Sequence, residues 1–309
     1  MTVACFWPIL DDMKIAVVGA TGFVGSHLVP QLVTQGHAVR AVSRTGRLRP
    51  EWPASVEGTA ADVETGSGLP TALAGIEGIV HLVAIPRERG GRRFEPINVG
   101  GVENVLEAAR AAGIRRLVHF SVLGVDPDPE LAYLSSKWRG EQLVRQSGFD
   151  WVVLRPSLLF GEGDGFFNLI KTTLRWWSPG VVAIPGDGRT RFQPLSVDDL
   201  AVGVERCLTE VDRAGSVYEL GGPAYLTYTE IVDEVMRVTG MRRLKLRMPI
   251  PLIGAITRVT DAVLPIFPVS HDQVRSMSRP NYTELDTFER AFGFTPRPFD
   301  VSYLANRQH

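Results

Sequence analysis

Cysteine is scarce in this sequence, which has only Cys5 and Cys207 among its 309 residues. The two lie far apart and do not form a metal-binding spacing, so we predict two ordinary thiols in a reducing, cytoplasmic compartment. The six histidines are equally scattered. No metal site is therefore expected.

The sequence also lacks an excess of one charge and any long apolar run. A formal net charge of -1 argues against nucleic acid as the main partner, because phosphate neutralisation needs a basic face. No apolar run reaches the roughly 20 residues that a membrane-spanning helix needs. Residues 1–12 lack the positive start of a signal peptide, and Pro8 breaks their apolar run, so we expect a peripheral N-terminal extension.

The most informative stretch is residues 14–25. An apolar run at 15–18 leads into Gly19, Gly22 and Gly25, which are spaced three apart, and a helix-compatible segment follows. This spacing is typical of a strand, a tight turn and a helix that opens under a phosphate. Free N–H groups and the helix dipole would hold the anion. We call residues 19–25 the glycine turn.

Strand-like and helix-like segments alternate after the glycine turn. Strands are predicted at 37–43, 55–61, 79–84, 116–121, 151–155 and 217–220, with helices at 26–36, 98–112 and 131–146. Such alternation implies right-handed crossovers and a parallel sheet covered on both faces. We therefore predict an α/β fold with a doubly wound parallel Rossmann sheet, and ligands beyond the carboxyl ends of its strands.

A smaller C-terminal α/β substrate lobe is predicted because the pattern breaks into shorter elements after Pro156. We assign 13–157 with 193–220 to the NADP-binding Rossmann domain and 158–192 with 221–309 to the substrate lobe. Helices are expected at 166–177 and at 227–239, the latter with Thr229 at its head. We interpret the apolar stretch 249–268 as a segment that covers the apolar core of the substrate lobe. The alternatives are that it lines an apolar pocket or contacts a membrane surface.

The end of the second strand predicts the choice of cofactor. An NAD site has an acid there for the ribose 2′-hydroxyl, but this chain has Ser43 and Arg44. Arg44 could pair with a 2′-phosphate in bidentate fashion, so NADP(H) is the preferred cofactor, with NAD(H) possible and a solvated arginine as the alternative. Asp62, after the third strand, is either an adenine ligand or a turn residue.

Four arginines lie in the stretch 86–93, which we call the arginine loop. They could contact cofactor phosphates or an acidic substrate, although a solvated surface loop is the favoured interpretation. Asn98 follows, either as a helix cap or as a hydrogen-bonding support for the sheet.

The candidate catalytic residues are Tyr133 and Lys137. Four residues apart on a helix, they lie on one face. A nearby lysine cation would lower the pKa of the tyrosine from about 10 towards the working pH. Such a tyrosine can exchange a proton with a carbonyl or alcohol while a nicotinamide exchanges the hydride. An exposed helix face is the alternative.

These motifs together resemble the short-chain dehydrogenase/reductase superfamily in its extended and atypical branches. The glycine turn, Asp62-Val63, the Tyr133/Lys137 pair and Arg155-Pro156 follow in the superfamily's order. Stretches 98–109, 155–168 and 185–194 resemble the group related to the NADPH-binding accessory subunit of respiratory complex I and, more widely, epimerase/dehydratase-like proteins. Motifs and resemblance together predict these cofactor contacts: Gly19, Thr21, Gly22, Phe23, Val24, Ser43, Arg44, Asp62, Val63, Leu82, Val83, Ala84, Ser121, Lys137 and Pro156.

The chain departs from the superfamily pattern after the fifth strand. The resemblance places a carbonyl-polarising Ser or Thr on or near Leu123, whereas Ser121 comes two residues earlier. We expect Ser121 to be an auxiliary third catalytic residue on the nicotinamide side. The main hypothesis is an NADP(H)-dependent oxidoreductase acting on a small, apolar carbonyl or alcohol. The alternatives are a cofactor-loaded sensor, assembly factor or structural subunit, and a nucleotide-sugar epimerase or dehydratase; the oligomeric state is left open.

Overall fold

The computed structural model describes residues 12–177, 180–253, 255, 279 and 281–305. Nearly all of the N-terminal extension and most of the apolar stretch 249–268 lie outside these residues. The chain divides into two compact units. The first comprises the residues up to Pro127, Ser135–Arg155 and Asp198–Tyr218; the second comprises Asp128–Leu134, Pro156–Val197 and the residues from Glu219 onwards.

The described elements follow the predicted alternation through the first half of the chain. The strands are β1 (Lys14–Val18), β2 (Ala38–Ser43), β3 (Glu57–Ala60), β4 (Gly78–His81), β5 (Arg116–Phe120), β6 (Asp150–Pro156), β7 (Leu159–Phe160), β8 (Val181–Pro185), β9 (Arg191–Phe192), β10 (Leu195–Ser196), β11 (Ser216–Leu220), β12 (Leu226–Thr227) and β13 (Leu244–Met248). The helices are α1 (Phe23–Thr34), α2 (Leu69–Leu73), α3 (Gly100–Ala111), α4 (Ala132–Arg145), α5 (Phe166–Thr172), α6 (Val197–Thr209), α7 (Tyr228–Thr239) and α8 (Thr287–Phe292).

A seven-stranded sheet has the order β3-β2-β1-β4-β5-β6-β11. The pairings from β3 through β6 are all parallel. Chain order reverses between β1 and β4, which is where an open α/β sheet forms its ligand crevice. The predicted doubly wound Rossmann fold is confirmed, and the crevice lies directly beyond the glycine turn.

The central strands are buried because helices cover both faces of the sheet. Residues 15–18 of β1 are almost completely excluded from solvent, and every residue of β4 and β5 is buried. One face packs against α2 and α3 through Leu73, Val102 and Val105. By contrast, the edge strand β3 is largely exposed, which explains its weak apolar pattern in the sequence.

The second unit has its own apolar core, built around Phe167, Phe192 and Val232. Helix α7 in this unit corrects one prediction, because its N-cap is Thr227 and not Thr229. The Thr227 hydroxyl accepts from the Glu230 N–H at 3.2 Å, and the Glu230 carboxylate accepts from the Thr227 N–H at 2.7 Å. This is a capping box.

Gly25 is the position where the glycine turn and α1 approach most closely. A Cβ atom there would lie 2.3 Å from the Ala20 carbonyl oxygen, so no side chain fits without a shift of backbone. We predict that Gly25→Ala lowers the free energy of unfolding by about 2 kcal/mol, as overpacking typically does. Urea denaturation measures this change.

Gly165→Ala is the matched control for Gly25→Ala. Its φ is -89°, and an added Cβ would meet nothing within 4 Å, so we expect a change below about 0.5 kcal/mol. Equal unfolding midpoints for the two variants would contradict the close packing at Gly25.

Candidate cofactor site

A cavity of about 230 Å³ lies in the first unit, beyond the carboxyl ends of β1 to β4. Ten of the predicted cofactor contacts line it: Gly19, Thr21, Gly22, Ser43, Arg44, Asp62, Val63, Leu82, Val83 and Ala84. Residues far apart in sequence are thus brought to one place by the parallel sheet.

The glycine turn forms the wall of this cavity after β1. Gly19 has φ +93°, and a Cβ there would lie 2.9 Å from the Val83 side chain. The N–H groups of Gly19 and Ala20 both donate to the Val42 carbonyl, at 2.9 and 3.2 Å. The N-terminus of α1 carries no side-chain cap, so its first N–H groups can serve an anion.

The ends of β2 and β3 form the opposite wall. The Ser43 hydroxyl accepts from the Gly46 N–H at 3.1 Å. Asp62 Oδ1 accepts from the Glu64 N–H at 2.9 Å, so Asp62 is a turn residue that also lines the cavity. Arg44 is exposed, and within the described part of the chain its side chain makes no hydrogen bond or ion pair.

Six further residues line the cavity without having been predicted as contacts: Val18, Val42, Ala61, Glu64, Arg92 and Ile97. Most of them are sequence neighbours of predicted contacts, so the position of the strand ends is the sequence feature that indicates them. Arg92 comes from the arginine loop, whose four arginines no sequence pattern distinguishes. Beside the cavity, Arg49 Nη2 donates to the Thr21 carbonyl at 3.1 Å, a contact that the sequence did not indicate.

Five predicted cofactor contacts do not line the cavity: Phe23, Val24, Ser121, Lys137 and Pro156. Phe23 and Val24 are the first residues of α1, and Pro156 belongs to the second unit. Ser121 and Lys137 lie together elsewhere in the first unit. Their roles toward a cofactor stay predictions.

Lys137 and Ser121 meet at the end of β5. Lys137 is buried, and its Nζ donates to the Phe120 carbonyl at 2.6 Å. Burial lowers the pKa of Lys137 to about 8, although the nearby Glu141 acts in the opposite direction. Ser121 Oγ is buried and has no hydrogen-bond partner among the described residues. A polar group is therefore available at this point for a ligand.

Tyr133 lies on α4, four residues before Lys137. Burial raises the pKa of Tyr133 to about 12. The sequence predicted the opposite direction, from attraction to the lysine cation, and that prediction is wrong in this structure. Removal from water disfavours the charged phenolate, so the desolvation of Tyr133 raises its pKa.

A family model described as NAD(P)H-binding matches residues 19–173. The chain belongs to this NAD(P)H-binding family. Ceramide reductase of Caulobacter vibrioides is 30% identical over 254 residues, which cover 80% of this chain and 77% of that protein. The mitochondrial NADH-ubiquinone oxidoreductase 40 kDa subunit of Neurospora crassa is 25% identical over 283 residues, covering 86% and 72%.

Solved structures show the same fold. The structure of MoeE5 in complex with UDP-glucuronic acid and NAD superposes with a TM-score of 0.70 at 25% identity, covering 94% of this chain and 96% of that chain. The predicted resemblance to NAD(P)-binding Rossmann reductases, including the complex I subunit, is confirmed. The comparisons support an oxidoreductase and leave the substrate open.

The cavity suits the dinucleotide that defines the NAD(P)H-binding family. Gly19 leaves room that a Cβ would fill, α1 offers uncapped N–H groups, and Arg44 offers a guanidinium that has no partner among the described residues. The first two features fit a pyrophosphate, and the third fits a further phosphate. The residues present therefore fit the cofactor chemically.

Among the described residues, no helix is both long and apolar enough to cross a bilayer, and no cluster of His, Cys, Asp or Glu could hold a metal ion. Cys207 is buried, and burial raises the pKa of its thiol to about 12. It is therefore a protonated core residue at neutral pH; Cys5 lies outside the described residues.

Asn98 supports the end of β4 from within the structure. Its side-chain oxygen accepts from the Ile85 N–H at 2.8 Å, and its Nδ2 donates to the Ile85 carbonyl at 3.2 Å and to Ser136 Oγ at 2.9 Å. Of the two predicted roles, sheet support is the one observed. The bonds fix the chain just after Leu82, Val83 and Ala84.

Two stacked histidines, His81 and His119, close the ends of β4 and β5. Their Nδ1 atoms are 3.1 Å apart, and their ring centroids are 5.2 Å apart. Both Nε2 atoms are buried without a hydrogen-bond partner among the described residues. Burial, with the Lys137 charge as a second cause, lowers the pKa of His81 to about 3 and that of His119 well below its ordinary value.

This pair makes stability depend on pH. Below about pH 6.5 the unfolded histidines take up protons, whereas the folded ones stay neutral. Acid therefore favours the unfolded state, and for His81 the loss continues down to about pH 3. We predict that the free energy of unfolding falls by up to about 1.4 kcal/mol per pH unit for each histidine.

Urea denaturation at about pH 7 and about pH 5 measures this dependence. The double variant His81→Leu/His119→Leu is the control, because it keeps the other titrating groups and removes the pair. Its stability should change less between the two pH values. An equal change in both proteins would show that the histidines are not responsible.

Proposed function

We propose that this protein is an NADP(H)-dependent oxidoreductase of the short-chain dehydrogenase/reductase type, acting on a small, apolar carbonyl or alcohol. The observation that carries the proposal is a single cavity lined by both the glycine turn and Arg44. The turn suits a pyrophosphate, and the arginine suits a phosphate near the end of β2.

The end of β2 is the basis for preferring NADP(H). An NAD site needs a carboxylate there, and this chain has Ser43 and Arg44 instead. A guanidinium without a protein partner offers two parallel N–H groups to a phosphate. Asp62 and Glu64, the two acids of the cavity, follow β3 and not β2.

Tyr133 is the proposed proton donor. A bound NADPH supplies the hydride in such a reaction. With a pKa raised to about 12, the Tyr133 phenol is protonated at neutral pH and can give its proton to a carbonyl oxygen. This protonation state favours the direction of carbonyl reduction.

Lys137 and Ser121 are the proposed positioning residues. Lys137 is anchored on the Phe120 carbonyl, and its two remaining N–H donors suit ribose hydroxyls. Ser121, the next residue after Phe120, offers an unpartnered hydroxyl to the nicotinamide side. Similarity to a protein named ceramide reductase supports a reductase with an apolar substrate.

A second candidate is an NADPH-holding subunit, sensor or assembly factor without turnover. Leu123 is buried near the position where active extended members carry a hydroxyl residue, and the 40 kDa subunit of Neurospora crassa is a relative. Nucleotide-sugar epimerase or dehydratase chemistry is a third candidate, supported by the likeness to the structure of MoeE5 in complex with UDP-glucuronic acid and NAD.

The Tyr133→Phe variant tests the proposed acid role, and assays of hydride transfer separate the candidates. Loss of the phenolic proton should lower kcat by about 10²- to 10⁴-fold, because general acid catalysis contributes that much. NADPH affinity, measured by fluorescence titration, should stay nearly unchanged. Turnover at the wild-type rate in this variant would remove Tyr133 from the acid role. Tight NADPH binding without hydride transfer to any carbonyl, quinone or nucleotide sugar would favour the subunit candidate.

The Arg44→Ala variant tests the cofactor choice. Losing charge-assisted hydrogen bonds to a 2′-phosphate should weaken NADPH binding by about tenfold or more and leave NADH binding nearly unchanged. Isothermal titration with both nucleotides measures the two dissociation constants. Arg47→Ala is the control, since Arg47 is an exposed arginine of the same segment and does not line the cavity. An equal loss for both nucleotides would place Arg44 away from the 2′-phosphate.

A further inference from the structure

Two arginines line the same cavity. Arg44 follows β2, and Arg92 belongs to the arginine loop that follows β4. Neither side chain makes a hydrogen bond or ion pair with any described residue. Two like charges around about 230 Å³ repel each other, and an anion bound between them would offset this repulsion by attracting both.

The arginine loop is held firmly at both ends. Asn98 binds the N–H and the carbonyl of Ile85 just before the loop. After the loop, the Phe94 N–H donates to Glu88 Oε1 at 2.8 Å, and the Phe94 ring is buried. The direction of the loop's side chains is therefore set by its anchored ends.

Within the loop, the chain turns at two glycines. Gly90 and Gly91 have φ values of +59° and +83°, and the Arg92 N–H donates to the Arg89 carbonyl at 3.1 Å. This turn leaves Arg92 partly buried at the cavity. Arg89 and Arg93 are exposed and do not line it. The turn thus directs a single one of these three arginines inward.

Strand order places the two cavity arginines on opposite sides of the glycine turn. β1 lies between β2 and β4, so Arg44 and Arg92 approach from either flank of the turn that follows β1. The acids Asp62 and Glu64 lie on the β3 side only. An anion above the turn would therefore be met by a guanidinium from each flank.

We propose that Arg92 is a second phosphate-binding arginine, which with Arg44 holds the phosphate groups of the dinucleotide from two sides. This inference rests on the proposed function, because it concerns the same cofactor. The group recognised is a phosphate ester of the nucleotide, either the 2′-phosphate or the pyrophosphate. Arginine suits both, since its planar fork binds phosphate oxygens in pairs.

The test measures dissociation constants of NADPH and NADH by isothermal titration for wild type, Arg92→Ala, Arg92→Lys and Arg93→Ala. Arg92→Ala should weaken NADPH binding by about tenfold or more. Arg92→Lys, which keeps the charge and loses the fork, should fall in between. Arg93→Ala removes the same charge from the neighbouring exposed position and should change the constant by less than about twofold.

The two nucleotides identify the phosphate. A loss confined to NADPH assigns Arg92 to the 2′-phosphate, and an equal loss for NADPH and NADH assigns it to the pyrophosphate. Either result supports the proposal. Equal NADPH constants for wild type and Arg92→Ala would overturn it and leave the proposed function standing. Failure of the wild type to bind either nucleotide would overturn both.

Circular dichroism and the Tm without ligand check that the variants are folded. If Arg92→Ala is not folded, Arg92→Gln replaces it, because glutamine keeps most of the length of the side chain and lacks the charge. The same titration of Arg92→Gln must then show the loss, or the proposal fails.

Discussion

The whole site depends on how the chain leaves β1. Gly19 turns with a positive φ, and a Cβ there would lie 2.9 Å from the Val83 side chain, while its N–H and that of Ala20 bind the Val42 carbonyl. The turn is thereby hydrogen-bonded to β2 and leaves no room for a side chain beside the residues that follow β4. Because parallel strands end at one edge of the sheet, this fixed turn aligns Arg44, Asp62 and the end of β4 around one cavity.

A second constraint is the burial of polar groups at the same edge of the sheet. Central parallel strands are normally apolar, yet His81, His119, Ser121 and Lys137 are all buried there. Desolvation keeps the histidines neutral and moves Lys137 toward its neutral form. Burying such groups lowers the stability of the fold, and apolar residues would pack better at these positions. Their presence therefore indicates a role in function.

Local patterns predicted the fold and ten of the sixteen residues that line the cavity, because these residues follow directly from strand ends and the glycine turn. The glycine turn and the residues after β2 follow from spacing along one strand-turn-helix unit. The capping box of α7 has a local signature, Thr227 and Glu230 three residues apart, whereas Thr229, the predicted head of the helix, lies inside it. The pKa direction of Tyr133 was missed because burial depends on tertiary packing, and the inward turn of Arg92 was missed because loop direction has no periodic signal.

The Ser121 hydroxyl, which has no hydrogen-bond partner among the described residues, is one of the buried polar groups at the sheet edge where the glycine turn lies. A buried polar group without a partner costs about 1–3 kcal/mol, and water or a ligand normally supplies the missing bond. Ser121 follows the carbonyl that binds Lys137, so the two polar groups lie next to each other at the end of β5. The sheet order leaves only β4 between β1, which leads into the glycine turn, and β5, which leads into Ser121. On the proposed function, a cofactor that extends from the arginines to Ser121 would supply the missing bond and stabilise this edge as it binds.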